Sequence, residues 1–207
     1  MPGTPSRDTA RPAGEDRHVT TARLRLDAVS ADDVDALHAV HADPRTWEHL
    51  PSGRHTDRDA TEQLVLRFVG DWTVHGLGYW SVRELADPAG PQAPVVGVGG
   101  CALRRSDDGR PLAWNVYYRL APRVWGSGYA RELTAAGRAA AAGVDPRLPV
   151  VAYLLEHNLA SRRTAERAGL QLLWRGPDAG NPDPGAVRLV YADRDVPPHL
   201  LAELTAR

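Results

Sequence analysis

The hydrophobic period of the chain changes several times between residues 20 and 192, and each change predicts an element. "RLRLDAVS" alternates Leu24 and Leu26 with arginines, the period of a half-buried strand. Ser30 with Asp33 three residues on is a helix-start signal, followed by a stripe of Val34, Leu37, Val40 and His41. A second helix is predicted from Thr56, with Leu64, Val65, Phe68, Val69 and Trp72 inward and Gly76 as its stop. Strand patterns then return in "GYWSVREL" (78–85), "VVGVGGCAL" (95–103) and "LAWNVYYRL" (112–120), the last two joined by an Asp108-Gly109 hairpin turn. A helix over 129–142 ends near Gly143 and Asp145-Pro146. "LPVVAYLLEHN" is apolar throughout, as in a strand covered on both faces. A short helix from Asn158 to Ala168 closes at Gly169, and "LQLLWRG" and "AVRLVYADR" bring the total to about seven strands. The pattern predicts an α/β (α+β) fold, a mixed sheet with helices on both faces.

The organisation predicted is a disordered, Pro- and Gly-containing tail over 1–19, one domain over 20–192 and a C-terminal extension over 193–207. Composition narrows the function classes. The net charge is −1, although all 25 basic residues are arginine, so neither a nucleic acid nor an anionic membrane is expected as partner. A lone cysteine, Cys101, excludes an intramolecular disulfide framework and a Cys-rich zinc site. His38 and His41, with His49 and His55 beyond, lack the carboxylates and spacing of a metal site, and no metal is expected. No apolar run has the length of a membrane span, and the amino terminus lacks a hydrophobic signal core. A cytoplasmic protein is expected.

The stretch "RVWGSGYARE" (123–132) carries the candidate chemistry. A dinucleotide fingerprint needs a third glycine where Arg131 stands, and a P-loop needs a lysine that the chain does not contain. A nucleophile elbow needs glycines at the positions of Trp125 and Tyr129, which makes Ser127 a poor nucleophile. "GVGG" (97–100) leads into strand and turn, away from any helix start. What remains is Gly126 and Gly128 at a helix start, a pattern that fits an anion cradle and fits a plain tight turn as well. A second segment, "EHNLASRRTAERAGL", sets Asn158 at the end of an apolar strand and Ser161 in the next helix. Both strand tips can then face one ligand at the carboxyl end of the sheet.

These two segments together resemble the GNAT N-acetyltransferase superfamily, in particular its ribosomal-protein N-terminal acetyltransferase-like (RimJ/RimL-type) branch. Arg123, Gly126 and Gly128 match the family's [Arg/Gln]-x-x-Gly-x-[Gly/Ala] acyl-CoA loop; Leu120, Pro122, Trp125 to Ala130 and Glu132 match its longer form. Asn158, Ser161, Glu166, Arg167, Gly169 and Leu170 match the branch's second motif, and "TARLRL" resembles its start, with Ala22 for Glu. The match spans about residues 20 to 192. The resemblance implies a GNAT fold in which the fourth and fifth strands (112–120 and 148–158) splay apart, and acetyl-CoA as cosubstrate.

It further implies direct acetyl transfer to a primary amine, a small molecule or a protein N-terminus, in a ternary complex. The pyrophosphate would lie on the amides of Val124, Trp125, Gly126, Ser127, Gly128, Tyr129 and Ala130. The pantetheine would run along Val116, Tyr117 and Tyr118 and be held by Asn158. Ser161 is the candidate proton donor to the sulfur, with a helix-capping serine as the alternative. The usual tyrosine donor is replaced by Ala165, and the usual Glu base by Asn115, which leaves Glu156, His157, Tyr117 or water. Trp47, His49 and Tyr117 are candidates for the acceptor side. Arg162 and Arg163 are either partners of the 3′-phosphate or solvated charges. Two other readings follow: a non-catalytic acyl-CoA-binding module, and a transferase using another acyl-CoA such as succinyl-CoA. A homodimer fits such folds.

Overall fold

The computed structural model describes residues 15–85 and 93–206. Eight strands form one sheet in the order β1-β2-β3-β4-β5-β6-β8-β7. They are β1 (His18–Thr20), β2 (Leu24–Ala28), β3 (Tyr79–Glu84), β4 (Val95–Arg105), β5 (Pro111–Leu120), β6 (Val150–Leu155), β7 (Gln171–Pro177) and β8 (Val187–Ala192). The helices are α1 (Val34–Ala42), α2 (Arg58–His75), α3 (Tyr129–Val144), α4 (Leu159–Arg167) and α5 (Pro198–Thr205). None of them is long and apolar enough to cross a membrane.

The eighth strand is an addition to the seven predicted. The tail expected over 1–19 lies outside the described residues as far as residue 14. Its end is ordered: Glu15–Arg17 make a 3-10 turn, and β1 pairs antiparallel with β2, His18 opposite Asp27. Three residues are too few to show a period, which is why the pattern missed them. The extension over 193–207 ends in α5, whose Leu204 packs on Leu112, Ala113 and Val151. Helix α2 starts two residues after Thr56 because the Asp57 side chain accepts from the Ala60 N–H at 2.8 Å, and Gly76 ends it at φ 71°.

All neighbouring strands are antiparallel except β5 and β6. That parallel pair aligns only Trp114 with Val150 and Asn115 with Val151, and then the two strands part. The sheet is held on both sides of the gap. Helix α3 packs its Leu133, Ala140 and Ala141 on one face, while Leu37 of α1 and Val65 and Phe68 of α2 pack on Val98 and Ala102 of the other. The "GVGG" glycines serve this packing. A Cβ on Gly99 would lie 2.6 Å from both Leu133 Cδ2 and the Tyr117 carbonyl, so a side chain there would push α3 and β5 away.

Candidate active site

The chain leaves β5 through a 3-10 turn, Pro122–Val124, and enters α3 at Tyr129. The Val124 and Trp125 amides are bonded to the carbonyls of Ala121 and Pro122, both at 3.1 Å. These two amides of the expected seat are thus already engaged, while the rest of it lies closer to the helix. The first backbone bond of α3 is Glu132 N–H to Gly128 O at 3.2 Å. Among the described residues the amides from Gly126 to Arg131 therefore have no acceptor, and they sit at the positive end of a helix. Gly126 and Gly128 hold φ of 79° and 81°, left-handed values that turn these amides outward. The loop is braced from behind. Ser127 O accepts from Arg23 at 2.6 Å, Arg123 pairs with Glu84 at 3.1 Å, and Tyr129 donates its hydroxyl to Glu84 at 2.9 Å.

Where β5 and β6 part, a cavity of about 470 Å³ opens, reaching both faces of the sheet. On the α3/α4 face it is lined by Tyr118, Thr134, Ser161, Thr164 and Ala165. Asn158 caps α4: its Oδ1 accepts from the Ser161 N–H at 3.1 Å, which turns its amide N–H groups to donors for a ligand. Tyr118, Ser161 and Thr164 bring three hydroxyl-bearing side chains to this face; burial raises the Tyr118 pKa, and Thr164 donates to the Ala160 carbonyl at 3.0 Å. At neutral pH these three hydroxyls keep their protons. Ala165, the position of the usual donor, offers none.

On the opposite face Asn115, Tyr117 and Arg119 alternate along β5 and so point the same way. Asn115 donates through Nδ2 to the buried Tyr79 hydroxyl at 3.0 Å, while its Oδ1 is buried with no partner. A relay of hydrogen bonds runs from Arg119. Its Nε donates to the Tyr117 hydroxyl at 3.1 Å, which lies 3.2 Å from His41 Nε2. His41 Nδ1 is 2.8 Å from the Leu37 carbonyl, an acceptor only, so Nδ1 carries the hydrogen and Nε2 accepts. Burial, helped by the Arg119 charge, pushes His41 down to about 4. The same two causes, in the same order, hold His49 at about 4.

Of the acceptor-side candidates, His49 and Tyr117 line the cavity and Trp47 does not. Trp47 is buried (9 %), donates Nε1–H to His41 O at 2.7 Å, and carries the Arg119 guanidinium on its ring at 3.3 Å. It is a supporting wall. Glu156 is held by Arg175 through two bonds of 2.7 and 2.8 Å, and His157 reaches the His49 carbonyl at 2.8 Å. Arg162 pairs with Glu166 at 2.9 Å. The one carboxylate lining the cavity, Asp178, is paired with Arg188. Burial raises the Cys101 thiol to about 12, far from a thiolate. Sequence reasoning missed Arg119, Arg104 and Tyr153 in the lining. The polar positions at every second residue of "NVYYR" were the available signal.

A strand gap beside a glycine loop at a helix start defines a class of acyl-transferring protein, and the comparisons name the family. Residues 23–171 match the model of the acetyltransferase (GNAT) domain. The chain belongs to that family, and as a member it is an acyl-CoA-dependent acetyltransferase. Solved structures agree in fold. An acetyltransferase from Agrobacterium tumefaciens strain C58 is 25% identical with a TM-score of 0.63, over 93% of this chain and all (100%) of that one. RimL, the ribosomal L7/L12 alpha-N-protein acetyltransferase, in complex with coenzyme A, is 21% identical with a TM-score of 0.63, over 84% and 97%. The microcin C7 self-immunity acetyltransferase MccE, in complex with acetyl-CoA and AMP, is 12% identical with a TM-score of 0.65, over 88% and 97%.

Proposed function

We propose that the protein transfers an acetyl group from acetyl-CoA to a primary amine in a ternary complex, and that it belongs with the RimJ/RimL-type branch. The observation that carries this is the cavity through the sheet: one mouth lies by α3 and α4, the other by His49 and Leu50. Two substrates can therefore meet from opposite faces. The fit to coenzyme A rests on the unbonded amides of Gly126 to Arg131, on the unpaired inner edge of β5, and on the orphaned Asn115 Oδ1. Acetyl-CoA supplies the acetyl group as an activated thioester.

The chain's residues take these parts. Gly126, Ser127, Gly128, Tyr129 and Ala130 present N–H groups to the pyrophosphate, and the inner edge of β5 at Val116, Tyr117 and Tyr118 faces the pantetheine arm. Asn158 orients the arm through Nδ2. Ser161 holds a proton for the departing sulfur. Asn115 Oδ1 receives an N–H in the gap but cannot take a proton. The carboxylate lining the cavity, Asp178, is paired with Arg188, so the amine loses its proton to solvent and attacks from its unprotonated fraction. His49 and Tyr117 border the acceptor.

Thiol release from acetyl-CoA, measured with a panel of amines, tests the reading. The absence of a free carboxylate in the cavity favours one other function, a binding module. Tight CoA binding by calorimetry with no amine-stimulated thiol release would establish that alternative. Competition between acetyl-CoA and succinyl-CoA decides the acyl group.

A further inference from the structure

Arg119 is the one buried arginine among the described residues, with 8 % exposure. A buried charge is costly unless it is paired. Elsewhere the fold meets that demand: the buried Asp27 and Asp33 share Arg83 at 3.2 and 2.9 Å. The contacts of Arg119 are all neutral. Its Nη1 donates to the Thr46 carbonyl, its Nε donates to the Tyr117 hydroxyl, and its plane lies on Trp47. His41 and His49 beside it are themselves held neutral at pH 7. A guanidinium has five N–H bonds, and the rest of them have no acceptor among the described residues. Arg119 lines the cavity.

A second cation stands on the same wall. Arg104 lies over the Tyr153 ring at 4.6 Å, and its Nε is buried with no partner. Asp178 is already neutralised by Arg188. The acceptor half of the cavity thus carries uncompensated positive charge.

We propose that the amine acceptor carries an oxyanion, carboxylate or phosphate, which seats on Arg119, while Arg104 farther along the wall adds to the positive field. This rests on the transferase reading above and names its substrate class. Stacking on Trp47 fixes the guanidinium plane, so the N–H groups left over from Tyr117 and Thr46 are preset for an anion's oxygens. Acidic or zwitterionic amines are selected. Polycationic amines are repelled by the same charges.

The test measures thiol release with matched acceptors: β-alanine against β-alaninamide, phosphoethanolamine against ethanolamine, and Ala-Asp-amide against Ala-Asn-amide. The acidic member is expected to lead in kcat/KM by roughly tenfold to a hundredfold, mostly through KM, with spermidine poor. The pair with the widest gap identifies the oxyanion and its carrier. Arg119→Met should erase the gap while CoA affinity is kept, and Arg119→Lys should restore part of it. Should Arg119→Met not fold, Arg119→Gln should narrow the gap. Equal kcat/KM within every pair for the unaltered protein overturns the proposal. If no amine stimulates thiol release, the transferase reading fails, and calorimetry on the CoA-saturated protein still decides the anion site. There β-alanine should bind and β-alaninamide should not; binding of both or of neither overturns it.

Discussion

Arg23 and Glu132 meet at the back of the glycine loop. Arg23 Nε reaches Glu132 Oε2 at 2.8 Å, and the Arg23 backbone N–H reaches Oε1 at 2.9 Å. Thr21 donates to the same carboxylate at 2.5 Å, and Arg23 also holds the Ser127 carbonyl. The start of β2 thereby fixes the first turn of α3. Glu132→Ala is expected to weaken CoA binding by about tenfold, near 1.4 kcal/mol, without touching the ligand. A double-mutant cycle with Arg23→Ala, read by calorimetry, should show strong coupling. Unchanged affinity in both single variants would reduce the network to packing.

Gly126 requires φ of 79°, yet a Cβ there would meet nothing within 4 Å. The demand is conformational. Gly126→Val should therefore abolish CoA binding, while the fold loses only about 1–2 kcal/mol from strain. Gly126→Asn, which tolerates the left-handed region, should keep part of the affinity. Full affinity in the valine variant would refute the loop assignment.

Ser161 and Tyr118 both line the α3/α4 mouth of the cavity. With the best amine, Ser161→Ala should lower kcat by roughly tenfold to a hundredfold at constant CoA affinity. Tyr118→Phe should lower it less. Stopped-flow single turnovers separate this from product release, and an unchanged chemical step would leave Ser161 as a helix residue only.

His41 gives the protein an acid limit. Unfolded, its imidazole takes a proton near 6.5; folded and buried, only near 4. Between those values the unfolded chain binds more protons, so stability falls as pH drops through that window and is fully present above it. The contribution is on the order of 3 kcal/mol, and His49 acts in the same direction. Urea unfolding of the unaltered protein and His41→Asn at pH 4.5, 6 and 7.5 should show a flatter profile in the variant. Parallel profiles would sink the argument.

The strands and helices were legible because their period is carried by runs such as "RLRL" and by stops such as Gly76 and Gly169. The glycine turn at the start of α3 was legible through two glycines whose φ values leave little choice. Its exact edge was not, since whether Val124 and Trp125 amides are free depends on a 3-10 turn that has no sequence period. The acceptor wall was the least legible part. Arg119 takes its meaning from Thr46 and Trp47, over seventy residues earlier, and from the absence of a carboxylate, a fact about space that no spacing encodes. Trp47 stands in the α1–α2 connection, and its ring carries the arginine that lines the cavity.

The short parallel pairing of β5 with β6 has a mechanical side. The sheet is two plates, β1 to β5 and β6 to β8, hinged at Trp114–Val150 and Asn115–Val151 and otherwise spanned by helices. A ligand strand laid in the gap would act as a staple between the plates. Loading would then stiffen the molecule as a whole, so resistance to heat and proteolysis should report on occupancy from positions as distant as β7.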